Sequence, residues 1–199
     1  MQDHGLNATI IAYPYGDGSN SPKVVKHVSK YYDLARTDTG YPLTFLRCDI
    51  WLGHPSNKND CRAFLNSAND KDGKLTIANR YSINGWSHRH IEGDYPTDSR
   101  TCVGRCNYYI NSQMLDRFIS AVSSQDKFNN NRTVRAIPII IYHTIVTYPD
   151  VSYCDRPVDT TITLFAQEMQ YLHDNGYRVL TMADLKYDKT TNYLYLKGL

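Results

Sequence analysis

At 199 residues the chain can bury roughly 70% of its unfolded surface around one core, and it is short for two comfortable ones. Lys and Arg total 22 against 20 Asp and Glu, a net charge of +2 with no basic block or stripe, which argues against a nucleic-acid-binding face. No apolar run approaches the roughly 20 residues of a membrane span, and the opening MQDHGLNATI lacks the charged start and long apolar stretch of a signal peptide.

In chain order, Ala8 to Tyr13 predicts a short buried strand, followed by the stiff corner Tyr13-Pro14-Tyr15 and a polar loop. Ser21-Pro22 supplies an N-cap and a first-turn proline for a helix, and Val24, Val25, Val28, Tyr31 and Tyr32 recur at a spacing that carries it to about Ala35. Residues 43–73 are polar and read as an inserted surface loop; Lys74 to Ile83 is extended and ends at Asn84-Gly85, and residues 87–110 form a second loop. Met114, Leu115, Phe118, Ile119 and Val122 mark an amphipathic helix. The run AIPIIIYH is apolar without alternation, as in a central strand covered on both faces in a parallel sheet. Ile162, Phe165, Met169 and Leu172 predict one helix face, Asn175-Gly176 a left-handed stop, and YRVLTM a returning strand, together a βαβ unit. The expected fold class is α/β, with its working edge at the strand C-termini.

Five cysteines leave at least one unpaired within the chain. Cys48 and Cys61 bracket one polar loop, Cys102 and Cys106 sit in a second and Cys154 in a third, which fits a disulfide-permitting compartment; no CxxC or paired-histidine spacing supports a zinc site. Sequons at Asn7 and Asn131 lean toward the cell surface or exterior as well.

Three blocks resemble the polysaccharide deacetylases, the NodB-like carbohydrate esterases. AYPYGDGSNSPKVVKHVSKYYDLARTDTGYP is similar to the family's third motif and the helix after it, TIANRYSI to a strand ending in an arginine, and AIPIIIYHTI with LFAQEMQYLHDNGYRVLTMADL to the closing Leu-x-His strand, helix and strand. The resemblance covers about half the chain. It implies a distorted (β/α) barrel, here a partial one with long irregular loops in a single domain 1–199, and hydrolysis of the N-acetyl groups of a polysaccharide. It also implies a zinc-like divalent metal that polarises the amide and activates water, held by one aspartate and two histidines with a second aspartate as base. The two motifs that carry those residues, Thr-Phe-Asp-Asp-Gly and His-Ser/Thr-x-x-His, are not in the sequence, so the expectation is an N-terminally truncated domain that by itself coordinates no metal and is inert.

Within that resemblance Tyr15 is expected to turn its backbone N–H on the oxyanion that forms when the acetamide is attacked, since Pro14 fixes its own φ and constrains Tyr13. Tyr13, Pro14 and Tyr142 are the expected sugar contacts, His143 the acid that protonates the departing amine, and Arg80 the replacement for an orienting arginine whose usual place is held by Ala12. The corner and the imidazole are expected to share one cleft. His88 and His90 are two apart and point to opposite sides of a strand, so they read as a surface pair and not as metal ligands; Asp49 and Asp60 read as solvated loop carboxylates. A competing function is a non-catalytic carbohydrate-binding remnant that keeps a tyrosine-lined groove.

Overall fold

The computed structural model describes residues 8–38, 42–47, 80–88, 111–130, 132–147, 159–191 and 193–198. All five cysteines, the sequon asparagines Asn7 and Asn131, Asp49, Asp60, His90 and the extended segment before Arg80 lie outside the described residues. The chain divides into two compact units, one drawn from Met1–Trp86, Ser124–Ile139 and Leu180–Leu199, the other from Ser87–Ser123 and Ile140–Val179.

In the first unit β1 (Ile10–Ala12) pairs in parallel with β2 (Leu34–Arg36), joined through α1 (Pro22–Val28). Ser21 and Pro22 begin α1 as expected, but the helix stops at Val28, seven residues short of Ala35. The amides of Asp33 and Leu34 instead donate to the Thr9 carbonyl, and Leu34 and Ala35 are fully buried. A sheet ladder that buries two apolar residues outweighs one more turn of a short helix, whose propensity is worth only tenths of a kcal/mol per residue. Tyr31, in phase with the valines by spacing, is 66% exposed.

Residues 43–45, expected in a surface loop, form the fully buried β3 (Leu43–Phe45), which runs antiparallel to β5 (Ala136–Pro138). The sequence AIPIIIYH is therefore not one parallel strand: β5 is antiparallel, Ile139 turns its amide to the Pro42 carbonyl, and β6 (Ile140–Ile141), paired in a two-stranded sheet with β4 (Trp86–Ser87), follows. Pro138 supplies no N–H, so a continuous ladder cannot pass through it. YRVLTM forms no strand: its Val179 is exposed, and the chain proceeds through a single 3₁₀ turn, Met182–Asp184, capped at Thr181, into the antiparallel hairpin β9 (Leu185–Asp188) and β10 (Tyr193–Leu196). The core gathers Leu34, Phe45, Leu46, Ile83, Phe128 and Leu194, with Phe45 and Phe128 edge to face at 4.9 Å. Burial of each such side chain is worth about 1.5–3 kcal/mol.

The second unit is built on two helices, α2 (Asn111–Ser123) and α3 (Ile162–Asp174). Met114, Phe118, Ala121 and Val122 form the buried stripe of α2, at the spacing the sequence predicts. On α3 the stripe is rotated from the expected one: Leu164 and Glu168 are fully buried while Ile162 is 52% exposed. Thr161 caps α3 through Oγ1, which accepts from the Leu164 amide at 3.0 Å and from Asn111 Nδ2 at 3.1 Å. Gly176, at φ +69°, ends the helix where Asn175-Gly176 predicts it. The parallel pairing expected of the isoleucine run occurs just beyond it, between β7 (Thr144–Val146) and β8 (Asp159–Thr161). Among the described residues the strands of both units pair in twos.

Candidate functional site

In the first unit the parallel ladder continues one residue past β1, where the Tyr13 amide donates to the Arg36 carbonyl at 2.9 Å. Tyr13 is extended, as a residue before proline must be, and Pro14–Gly16 then make one 3₁₀ turn. Gly16 N–H closes on the Tyr13 carbonyl and Asp17 N–H on that of Pro14. Within this turn Tyr15 takes φ 54°, ψ 17°, a left-handed conformation that a bulky side chain rarely adopts and that costs on the order of 1–3 kcal/mol. Gly16 follows at φ +75°. The Tyr15 side chain is 99% exposed, so no side-chain packing accounts for the strain. Among the described residues no acceptor is bonded to its N–H.

The other half of the corner behaves differently. Tyr13 is 6% exposed and packs in a small core with Val25, Ala35 and Tyr81, so its ring is a wall of the interior and not the sugar platform expected of it. Burial, with Tyr81 beside it, pushes the Tyr13 phenol above its ordinary value. Pro14 is exposed.

Arg80 is buried, not solvated at the surface. Its guanidinium lies 4.0 Å over the Tyr187 ring and 4.8 Å from the centre of the Tyr81 ring. The Tyr81 hydroxyl donates to the Tyr32 carbonyl at 2.7 Å, which fixes one of those two aromatic faces.

The second unit holds His143 and Tyr142. His143 is exposed, with Nε2 3.0 Å from the Ser87 hydroxyl. Tyr142 donates its hydroxyl to Glu168 Oε2 at 2.7 Å, and burial together with that bond drives its phenol far above the ordinary range. The other carboxylate oxygen, Oε1, lies 2.6 Å from His88 Nε2. A carboxylate only accepts, so Nε2 carries the proton between them. The His88 ring is tilted against Tyr142 at 4.8 Å and stacked toward Phe118 at 6.3 Å. His88 is thus an interior residue, contrary to its expected place in a surface pair.

Neither His88 nor Glu168 was identified as a partner by its spacing. The available signal was on α3, where Glu168 falls on the core stripe with Leu164, a place a carboxylate takes only when it is met by donors.

Tyr15 and Arg80 belong to one unit, His143 and Tyr142 to the other. The divalent ion that the resemblance implies is not matched by these side chains: among the described residues no three His, Cys, Asp or Glu gather, and both oxygens of Glu168 already accept hydrogen bonds. Among the described residues no helix is long and apolar enough to cross a membrane. No family model, curated protein or solved structure matches the chain.

Proposed function

We propose that this chain takes part in the hydrolysis of N-acetyl groups on an extracellular or cell-surface polysaccharide, in a partial (β/α) barrel of the polysaccharide deacetylase type. In that reaction water adds to the acetamide carbonyl, the C–N bond breaks, acetate leaves and the amine takes up a proton. The observation that carries the reading is the Tyr15 corner. Its amide is held in a left-handed turn behind a proline, next to an exposed aromatic face, and a fixed donor of this kind stabilises the developing oxyanion better than mobile water does. Loss of one such donor costs about 10²–10³ in rate in a hydrolase. The proton for the departing amine is the role proposed for His143, an exposed imidazole tethered to Ser87. Arg80, in the same proposal, is a positioning residue for a carboxylate.

The competing reading is carbohydrate binding without chemistry, and the almost fully exposed Tyr15 ring favours it to the extent that stacking alone would use that ring. Calorimetric titration with tetrameric N-acetylglucosamine and with its deacetylated form tests both. Preferential binding of the acetylated oligomer supports either reading, and Tyr15→Gly, which keeps the N–H of residue 15, should weaken binding of both oligomers through loss of the ring. Acetate release, measured with zinc and a polypeptide carrying the two absent motifs added, distinguishes the two, and equal affinity for both oligomers contradicts both.

A further inference from the structure

In the first unit a cleft of about 240 Å³ opens beside β9, lined among others by Asp33, Arg80, Lys186, Tyr187, Lys189 and Tyr195. It is smaller than the roughly 300–1,000 Å³ of sites that take drug-sized molecules, which limits the occupant to a small one. Three cations and one carboxylate stand around it. Arg80 is only 8% exposed, its Nε has no hydrogen-bond partner, and among the described residues no carboxylate pairs with its guanidinium. Its charge is met by the faces of Tyr187 and Tyr81 and by the Tyr81 hydroxyl. A buried guanidinium is ordinarily matched by a carboxylate or phosphate, which its planar fork grips through two parallel bonds.

Lys189 is exposed and Lys186 half-buried, and among the described residues neither is ion-paired, so both can close on a bound anion. Asp33 has the chemistry to accept hydroxyl protons, and it disfavours a second negative charge. Tyr195, exposed on β10, offers an aromatic face for an apolar ring surface. We infer that this cleft binds a small hydroxylated anion, a carboxylate or phosphate on a polyol body of about monosaccharide size. The anionic group is drawn by Arg80 and the two lysines, while the hydroxyls face Asp33. Arg80 enters both readings, but neither Tyr15 nor His143 lines the cleft, so the inference stands on the cleft alone and is tested apart from acetate release.

The test is calorimetric titration of the whole chain with glucuronate, glucose 6-phosphate and neutral glucose. Saturable one-to-one binding of at least one of the two anions is expected, weakening as salt is raised, with glucose at least tenfold weaker, the scale of one charge-assisted bond. Which anion binds identifies carboxylate or phosphate as the recognised group. Arg80→Gln should weaken binding by about tenfold or more, and Lys189→Gln, an exposed change that leaves the core intact, by about two- to threefold. Tyr15→Gly should leave this affinity unchanged while weakening any binding of N-acetylglucosamine oligomers. If Arg80→Gln does not fold, Lys189→Gln and the salt dependence decide. Failure of both anions to bind, equal binding of glucose, or affinity indifferent to Lys189→Gln and salt overturns the inference.

Discussion

The Tyr15 corner and the Glu168 cluster handle polar groups in opposite ways. In the cluster a carboxylate buried on the core face of a helix is met on both oxygens, by His88 at 2.6 Å and by Tyr142 at 2.7 Å, and two aromatic rings flank the imidazole. At the corner a tyrosine is held in a left-handed turn with its side chain in solvent. A satisfied buried network specifies packing, whereas strain that no contact repays marks a place where the chain is held ready for something else. The contrast separates two tyrosine-bearing regions that composition alone makes look alike.

The largest expected effect would test whether the cluster is structural. Glu168→Leu leaves His88 and the Tyr142 hydroxyl without their acceptor and should cost about 3–5 kcal/mol in urea unfolding, as does removal of one partner of a buried pair. The double variant His88→Leu/Glu168→Leu should recover much of that loss, since a well-packed apolar pair is often close to neutral. A double variant as unstable as the single one would mean that the cluster does more than fill the core.

At the corner, Gly16→Ala places a Cβ 3.1 Å from Thr37 Oγ1 at φ +75° and should cost about 1–2 kcal/mol by the same measurement. Tyr15→Gly should do the reverse, raising stability by up to about 1 kcal/mol as the left-handed strain is relieved, while it keeps the backbone donor and loses only the ring's contribution to sugar affinity. A stability loss in Tyr15→Gly would show that the ring packs usefully after all, and the contrast with Glu168 would fail.

The smallest effect is expected away from both regions, in the β9–β10 turn. There the Asp188 carboxylate accepts from the Thr190 amide and the Thr191 hydroxyl, which holds its pKa below the ordinary value. A depressed folded-state pKa adds stability at pH above the unfolded value, and that contribution is lost as pH falls through the folded one. Asp188→Asn should therefore lower the urea midpoint slightly at neutral pH and leave the acid end unchanged, so that the acid limb flattens.

Much of the helical structure was legible in the residues. Met114, Phe118 and Val122 repeat at helical spacing and are buried, and Asn175-Gly176 and Ser21-Pro22 mark ends that chain chemistry imposes locally. The strands were less legible, because pairing is decided by distant partners. Leu34 and Ala35 look like a helix tail in the sequence, but the Thr9 carbonyl takes the amides of Asp33 and Leu34, and nothing within AIPIIIYH reveals that Ala136–Pro138 faces the antiparallel Leu43–Phe45. The site divides along the same line. Tyr15 could be singled out from Pro14 before it and Gly16 after it, which act within one turn. The burial of Tyr13 depends on Val25 and Tyr81, and the pairing of His88 with Glu168 spans 80 positions, so no local pattern announces either.

The most direct test of the central claim follows the backbone amide of Tyr15 by ¹⁵N–¹H NMR as tetrameric N-acetylglucosamine is added. The account predicts a saturable downfield shift of that proton, reporting a new hydrogen bond to the acetamide oxygen, and no such shift with the deacetylated tetramer. An amide that stays in place while the acetylated oligomer binds, or that moves equally with both, would contradict it.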